Sequence, residues 1–167
     1  RSPWAADGYF DATTPGNRLP EATGGTSAFA VDGRGRRWLR TGDIATIDQH
    51  GYVRLVDRAK DLIKSGGEWI SSQALEGRIL QHPDILEVAV VGRPDPRWQE
   101  RPIAFVVLRQ GRRDRDEAKI KTELFAALAV HFAKWQLPDE VVVLPTIPKG
   151  NTGKIDKAAL RLQAEKL

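Results

Sequence analysis

Four of the five residues in Asp57-Arg-Ala-Lys-Asp61 are charged, and they divide the chain into two unlike parts. So dense a run suits neither a helix core nor a strand core. It predicts an exposed connection and a boundary between two bodies. Before it, turn residues dominate. Pro15-Gly-Asn-Arg-Leu-Pro20 and Gly24-Gly25 punctuate a segment with scattered aromatics at Trp4, Tyr9, Phe10 and Phe29. This reads as loop with short strands and not as a self-contained core. Asp32-Gly33 and Arg34-Gly35 predict a turn ahead of a strand at Trp38-Leu39-Arg40, and Arg34, Arg36 and Arg37 a solvated basic turn. Ile44-Ala-Thr-Ile47 and Tyr52-Val-Arg-Leu-Val56 flank Asp48-Gln-His-Gly51, the pattern of a β-hairpin.

After the charged run the pattern becomes regular. Leu62-Ile63 predicts a short strand ending at Gly66-Gly67. Ser71 or Ser72 can cap a helix that buries Leu75 and Ile79, with Leu80 alongside, and that Pro83 stops. Val88–Val91 and Ile103–Leu108 are apolar runs of strand length. Asp114 stands three residues before Glu117 as a capping pair. Ile120, Leu124, Leu128, Phe132 and Trp135 then recur at spacings of four, four, four and three, so a helix should reach almost to Pro138. Glu140–Leu144 predicts a strand, and a short helix from about Asp156 closes the chain. The fold class that follows is α+β: a small domain with a mixed or antiparallel sheet, covered on one side by about three helices, after a β-rich leading segment.

Composition removes several function classes. There is no Cys, hence no disulfide framework and no thiolate metal site. No apolar run approaches a membrane span, and no secretory leader pattern is present, so a cytoplasmic protein is expected. The net charge is +4, from 26 Lys and Arg against 22 Asp and Glu, with the two signs interleaved. That suits an anionic ligand better than a nucleic-acid face. His50, His82 and His131 have no ligand spacing and are assigned neither to metal nor to catalysis. The sequence contains no Met and starts at Arg1, from which a fragment of a longer chain is expected.

Several residues have both a structural and a chemical reading. Gly150-Asn-Thr-Gly-Lys154 lacks the spacing of a phosphate loop, and Ile155 stands where a hydroxyl would be needed. What survives is Lys154 on a glycine-flanked tip, either an exposed loop lysine or a cation delivered to developing negative charge. Asp43, in Thr41-Gly-Asp43, is either a turn residue or an acceptor for a vicinal diol such as ribose. Arg58 can pair with Asp57 or Asp61, or reach an anionic ligand. Gly66-Gly67 is either a tight turn or a place where a thin ligand approaches backbone without a Cβ in the way.

In chain order, Trp38-Leu-Arg-Thr-Gly-Asp43, Asp57-Arg-Ala-Lys-Asp61, Ile63-Lys-Ser-Gly-Gly-Glu-Trp-Ile-Ser71, Val90-Val-Gly-Arg-Pro-Asp-Pro96 and Thr152-Gly-Lys-Ile-Asp156 resemble the C-terminal blocks of the adenylate-forming enzymes, specifically the acyl-CoA synthetases or fatty-acid–CoA ligases. The resemblance covers about residues 36 to 160. It implies that a large N-terminal domain binds ATP, Mg2+ and the carboxylic acid, and that a small C-terminal domain swings between two poses. Residues 1–57 would be the β-rich tail of the large domain and residues 58–167 the small mobile domain. The resemblance gives Asp43 the ribose hydroxyls and Arg58 the nucleotide. Lys60 becomes the hinge, Gly66, Gly67 and Glu68 the CoA channel, and Lys154 the lysine of the adenylation step. It departs at Trp69 and Trp98, where some relatives carry Arg, so the nucleotide end of CoA is left unassigned. The fragment alone is expected to be inactive. The competing readings are an adenylation domain that loads a carrier protein and a non-catalytic basic binding module.

Overall fold

The computed structural model describes residues 29–111 and 116–167. The chain groups into two compact units, Arg1–Asp43 and Ile44–Leu167. The readings for Trp4, Tyr9, Phe10, Pro15–Pro20 and Gly24-Gly25, and Asp114 as a capping residue, lie outside the described residues.

In the first unit, β1 (Phe29–Val31) pairs antiparallel with β2 (Arg37–Leu39). Asp32 builds the turn between them. Its Oδ1 accepts the backbone N–H groups of Arg34 at 2.9 Å and Arg36 at 3.0 Å. Its Oδ2 accepts from Arg36 Nε at 2.7 Å and Trp38 Nε1 at 3.0 Å. The basic run is therefore engaged as well as solvated: Arg36 pairs with Asp32 and lies over the Trp38 ring, and the Arg37 guanidinium lies 4.3 Å from the Phe29 ring centre.

β3 (Asp43–Ile47), which enters the second unit at Ile44, pairs with β4 (Val53–Arg58). Asp48 repeats the Asp32 device, accepting N–H groups of His50 at 2.8 Å and Tyr52 at 3.0 Å. Then come β5 (Ile63–Ser65), β6 (Glu68–Ile70) and α1 (Ser72–Ile79). β7 (Ile85–Asp95), β8 (Gln99–Leu108), α2 (Glu117–Ala129), β9 (Glu140–Val143) and α3 (Lys157–Ala164) follow. β7 and β8 form a long antiparallel ladder from Ile85↔Leu108 to Asp95↔Gln99. β9 runs parallel to β8, and β5 meets β8 at Ser65↔Gln99. The sheet is mixed, as expected, with three α-helices among the described residues.

Both faces of this sheet are covered, which corrects the expectation of one. Val88, Val90, Ala104, Val106 and Leu108 join a core with Leu75 and Ile79 of α1 and Ile120, Leu124 and Leu128 of α2. The alternate residues Ala89, Val91, Ile103, Phe105 and Val107 join a second core with Ile147 and with Leu160 and Ala164 of α3. The terminal helix, short as it is, closes the far face.

The cap of α1 is as expected, while other helix ends differ from the sequence reading. Ser71 caps α1, accepting from the Ala74 N–H at 3.2 Å, while Leu80 turns outward and is 47 % exposed. Asp116 caps α2, accepting the Ala118 N–H at 2.9 Å. That helix ends at Ala129, and Trp135 falls in a separate 3-10 turn, Lys134–Gln136. The N–H groups of His131 and Phe132 both return to the Leu128 carbonyl, tightening the last turn. Leu137, before Pro138, is extended.

Two outcomes are expected. Phe105→Ala, at a site 1 % exposed, should lower unfolding free energy by about 3–5 kcal/mol in a denaturant titration. The Asp32 carboxyl, held at about 2 chiefly by the Arg36 backbone N–H and the Trp38 indole N–H, should show that midpoint by NMR. Because its folded value is depressed, its contribution to the turn is present above the ordinary carboxyl range and is lost as pH falls through about 2.

Candidate functional site

The charged run is exposed at its centre, as its composition suggests, but not at its ends. Asp57 is 3 % exposed. Its Oδ2 accepts from Ser71 Oγ at 3.2 Å, Ser72 Oγ at 2.9 Å and the Gln73 N–H at 3.1 Å, and its Oδ1 from the Arg58 N–H at 2.8 Å. A carboxylate can enter the interior when donors surround it, and the start of a helix supplies them. Arg58, Ala59 and Lys60 are exposed, and the Lys60 ammonium makes no hydrogen bond or ion pair among the described residues. The Lys60 carbonyl accepts from Arg161 Nη2 at 2.8 Å, and Asp61 Oδ1 accepts from the same nitrogen at 2.6 Å.

Gly66 and Gly67 form the tight turn between β5 and β6, with φ of 60° and 87°. Two left-handed residues match a two-residue hairpin turn, and that signal could have revealed β6. The glycines differ in what they face. A Cβ on Gly66 would lie 2.8 Å from Cε3 of Trp98, whereas one on Gly67 would meet nothing within 4 Å. Gly66 is thus claimed by Trp98, which also accepts the Gly66 N–H on its carbonyl at 2.8 Å. Gly67 and Glu68 face open space beside it. The Arg97 guanidinium covers the Trp98 ring at 4.9 Å, and Asp95 holds this bend by accepting the N–H groups of Trp98 and Arg97. Chiefly through the Trp98 N–H, the Asp95 carboxyl lies below its ordinary range.

Beneath this turn lies Arg101, a residue that sequence reasoning missed. It is 9 % exposed, and its guanidinium donates to Asp139 Oδ1 at 2.8 Å, Ser65 Oγ at 3.0 Å and the carbonyls of Trp135 and Leu137. These partners lie 34 to 38 residues away. The only local signal was a charge opening an apolar strand.

Lys154 stands near the tip of a small hairpin closed by the Lys149↔Ile155 bridge, with the Gly150 N–H bonded to the Lys154 carbonyl at 2.8 Å. Lys149 fastens it to β7 through Glu87 at 2.9 Å. The Lys154 ammonium is exposed and makes no hydrogen bond or ion pair among the described residues. Asp156 caps α3 immediately after it. Asp43 begins β3, with its N–H bonded to Thr41 Oγ1 at 3.2 Å. Within the second unit, Arg58 and Lys60 lie on one turn, Gly66, Gly67 and Glu68 on another and Lys154 on a third.

Spacing in the sequence gave no hint that His82, Asp84 and Glu123 come together, with ligand atoms within 4.8 Å. His82 uses both ring nitrogens: Nδ1 accepts the Asp84 N–H at 3.3 Å and Nε2 meets Glu123 at 3.2 Å. That arrangement fits a hydrogen-bonded histidine and does not fit the oxygen-rich octahedron of Mg2+.

Residues 74–154 match the AMP-binding enzyme C-terminal domain. The chain is 48 % identical over 164 residues to a long-chain-fatty-acid–CoA ligase of Thermus thermophilus, covering 98 % of this chain and 27 % of that protein. It is 48 % identical over 126 residues to a 3-methylmercaptopropionyl-CoA ligase of Ruegeria pomeroyi, covering 75 % and 22 %. Among solved structures it is similar to the o-succinylbenzoate CoA synthetase of Bacillus subtilis in complex with the acyl-adenylate intermediate OSB-AMP. That likeness has a TM-score of 0.66 and 33 % identity, and covers 74 % of this chain and 24 % of that one. The chain thus spans about a quarter of the length of the curated relatives it matches. No described helix is long and apolar enough to cross a membrane. The α+β body, the motif order and these similarities agree: residues 74–154 belong to the AMP-binding enzyme C-terminal domain, in a chain similar along its length to an acyl-CoA ligase.

Proposed function

We propose that this chain is the mobile C-terminal portion of a cytoplasmic, ATP-dependent fatty-acid–CoA ligase whose larger N-terminal domain precedes it. In the first half-reaction the carboxylate attacks the α-phosphate of ATP, forming acyl-adenylate and releasing pyrophosphate. In the second, the CoA thiol attacks the acyl carbon and AMP leaves. The observation that carries this reading is Lys154, an unpaired ammonium on a tight hairpin beside a body whose buried side-chain polar atoms are all partnered among the described residues. A cation so held can meet negative charge as it spreads over carboxylate and phosphate, at little cost in reorganisation.

The other roles follow from the same reading. Asp43 accepts the ribose hydroxyls and Arg58 reaches the nucleotide. Lys60 is the hinge between residues 1–57 and 58–167. Gly66, Gly67 and Glu68 border the CoA thiol channel. Of the two glycines, Gly67 is the better suited to contact a ligand, because Trp98 already occupies the space above Gly66. Mg2+ belongs with the preceding domain. CoA is favoured as acceptor over a carrier protein by the Gly66-Gly-Glu-Trp-Ile-Ser71 block and by similarity to CoA ligases. Fatty acid is favoured as the acid by similarity to the Thermus thermophilus protein.

In the full-length enzyme, Lys154→Ala should reduce octanoate- or palmitate-dependent ATP–pyrophosphate exchange by about a hundredfold or more. Unchanged exchange would remove Lys154 from the chemistry. Lys60→Pro fixes φ and should spare one half-reaction while impairing the other. Equal loss of both would count against a hinge. The 167-residue chain alone should release no AMP in response to fatty acid, and measurable release would overturn its dependence on the preceding domain.

A further inference from the structure

The turn that carries Lys60 is held at its two ends by different parts of the fold. On the upstream side, Asp57 belongs to β4, yet three of its four hydrogen-bond donors belong to Ser71, Ser72 and Gln73 at the start of α1. Ser71 Oγ also reaches the Val56 carbonyl at 3.1 Å. This contact is backed by α3: Lys157 Nζ donates to Ser72 Oγ and to Glu76 Oε1, each at 2.7 Å, and Glu76 Oε1 accepts the Val90 N–H of β7 at 2.8 Å. On the downstream side, Arg161 holds the Lys60 carbonyl and the Asp61 carboxylate. Lys157 and Arg161 are four residues apart on α3 and so share a face.

The seam between the β3–β4 hairpin and α1 is otherwise open. A cleft of about 420 Å3 lies along it, lined by Thr46, Arg54, Val56, Ser71 and Gln73 among others. Ile47, Tyr52, Val53 and Leu55 of the hairpin remain exposed. Among the described residues no apolar core spans the seam, because both cores consist of residues from Ile63 onward. A few charge-assisted bonds to one carboxylate therefore carry much of the attachment.

We propose that Asp57 is a positioning residue that latches the β3–β4 hairpin to α1, and that the chain pivots through Arg58–Lys60, between this latch and the Arg161 clamp. The inference rests on the two-pose reading of Lys60. Everything from Asp61 onward turns as one body with α1 and α3. Everything up to Asp57 stays with the hairpin, so rotation withdraws the Asp57 carboxylate from its donors on α1 and exposes it to water. Half-withdrawn, it would be neither bonded nor hydrated, which costs more than either end state. The latch is therefore two-state, and it favours the pose in which Asp57 is seated.

The test exploits the absence of Cys. Spin labels on Gln49→Cys, in the hairpin turn, and Gln163→Cys, on α3, report the hairpin-to-body distance in the 167-residue chain. The parent should give one dominant distance. Asp57→Asn, which replaces a bond-accepting oxygen with a donor, should shift the ratio of populations by about tenfold and bring up a second distance. Ser72→Ala should shift it less and in the same direction, and it carries the test should Asp57→Asn fail to fold by circular dichroism. A folded variant with an unchanged distance distribution overturns the latch. In the full-length enzyme, Asp57→Asn should move the two half-reaction rates in opposite directions. A new distance with both rates moved equally would uphold the latch and overturn the two-pose ligase reading.

Discussion

Residues 101–108 of β8 are buried without a break, and the rest of the second unit depends on how that strand is covered. β7 saturates one edge over its full length, and β9 and β5 share the other. The strand has no solvent face, so both sets of its alternating side chains must find helices. α1 and α2 serve one face and α3 the other. A strand this apolar would invite aggregation if either edge or face were left open, and the short C-terminal helix is what completes its cover.

The rigidity of that ladder explains how exposed loops acquire defined positions. The Gly66-Gly67 turn extends from Ser65, which pairs with Gln99 at the end of β8, and Trp98 and Arg101 hold it from either side. The Lys154 hairpin is fastened to β7 through Lys149 and Glu87 and leads directly into α3. Each loop is a short excursion from the same sheet, so its candidate residues are exposed while its base is fixed. Arg101 joins the arrangement from inside, tying Ser65 to the Trp135–Asp139 segment with a guanidinium that has no unpartnered buried nitrogen.

Much of this was legible because it is local. The apolar runs at Val88–Val91 and Ile103–Leu108 gave the central strands, and the motif order gave the family. What escaped was long-range. Asp57 looked solvent-bound because composition cannot reveal that α1 would offer it three donors 14 to 16 residues later. The second covered face escaped because alternation within Ile103–Leu108 of β8 is invisible when each of those residues is apolar. Trp135 continued the helical period in sequence, yet its carbonyl is taken by Arg101 from a strand 34 residues earlier. The candidate site was legible as separate motifs, and its supporting shell was not, since Arg101, Lys157 and Arg161 act across 34 to 101 residues.

The reach of α3 has a consequence for how such a chain is made. Arg161 binds a carbonyl and a carboxylate about one hundred residues upstream, and Leu160 and Ala164 complete the second core. During synthesis the β7–β8 ladder can form while α3 is still inside the ribosome. The Lys60 turn acquires its clamp only after residue 161 has emerged. Until then a nascent chain has a pairable sheet, one bare apolar face and an unanchored turn. Stalling or truncation ahead of α3 would therefore leave a body that is folded on one side and adhesive on the other.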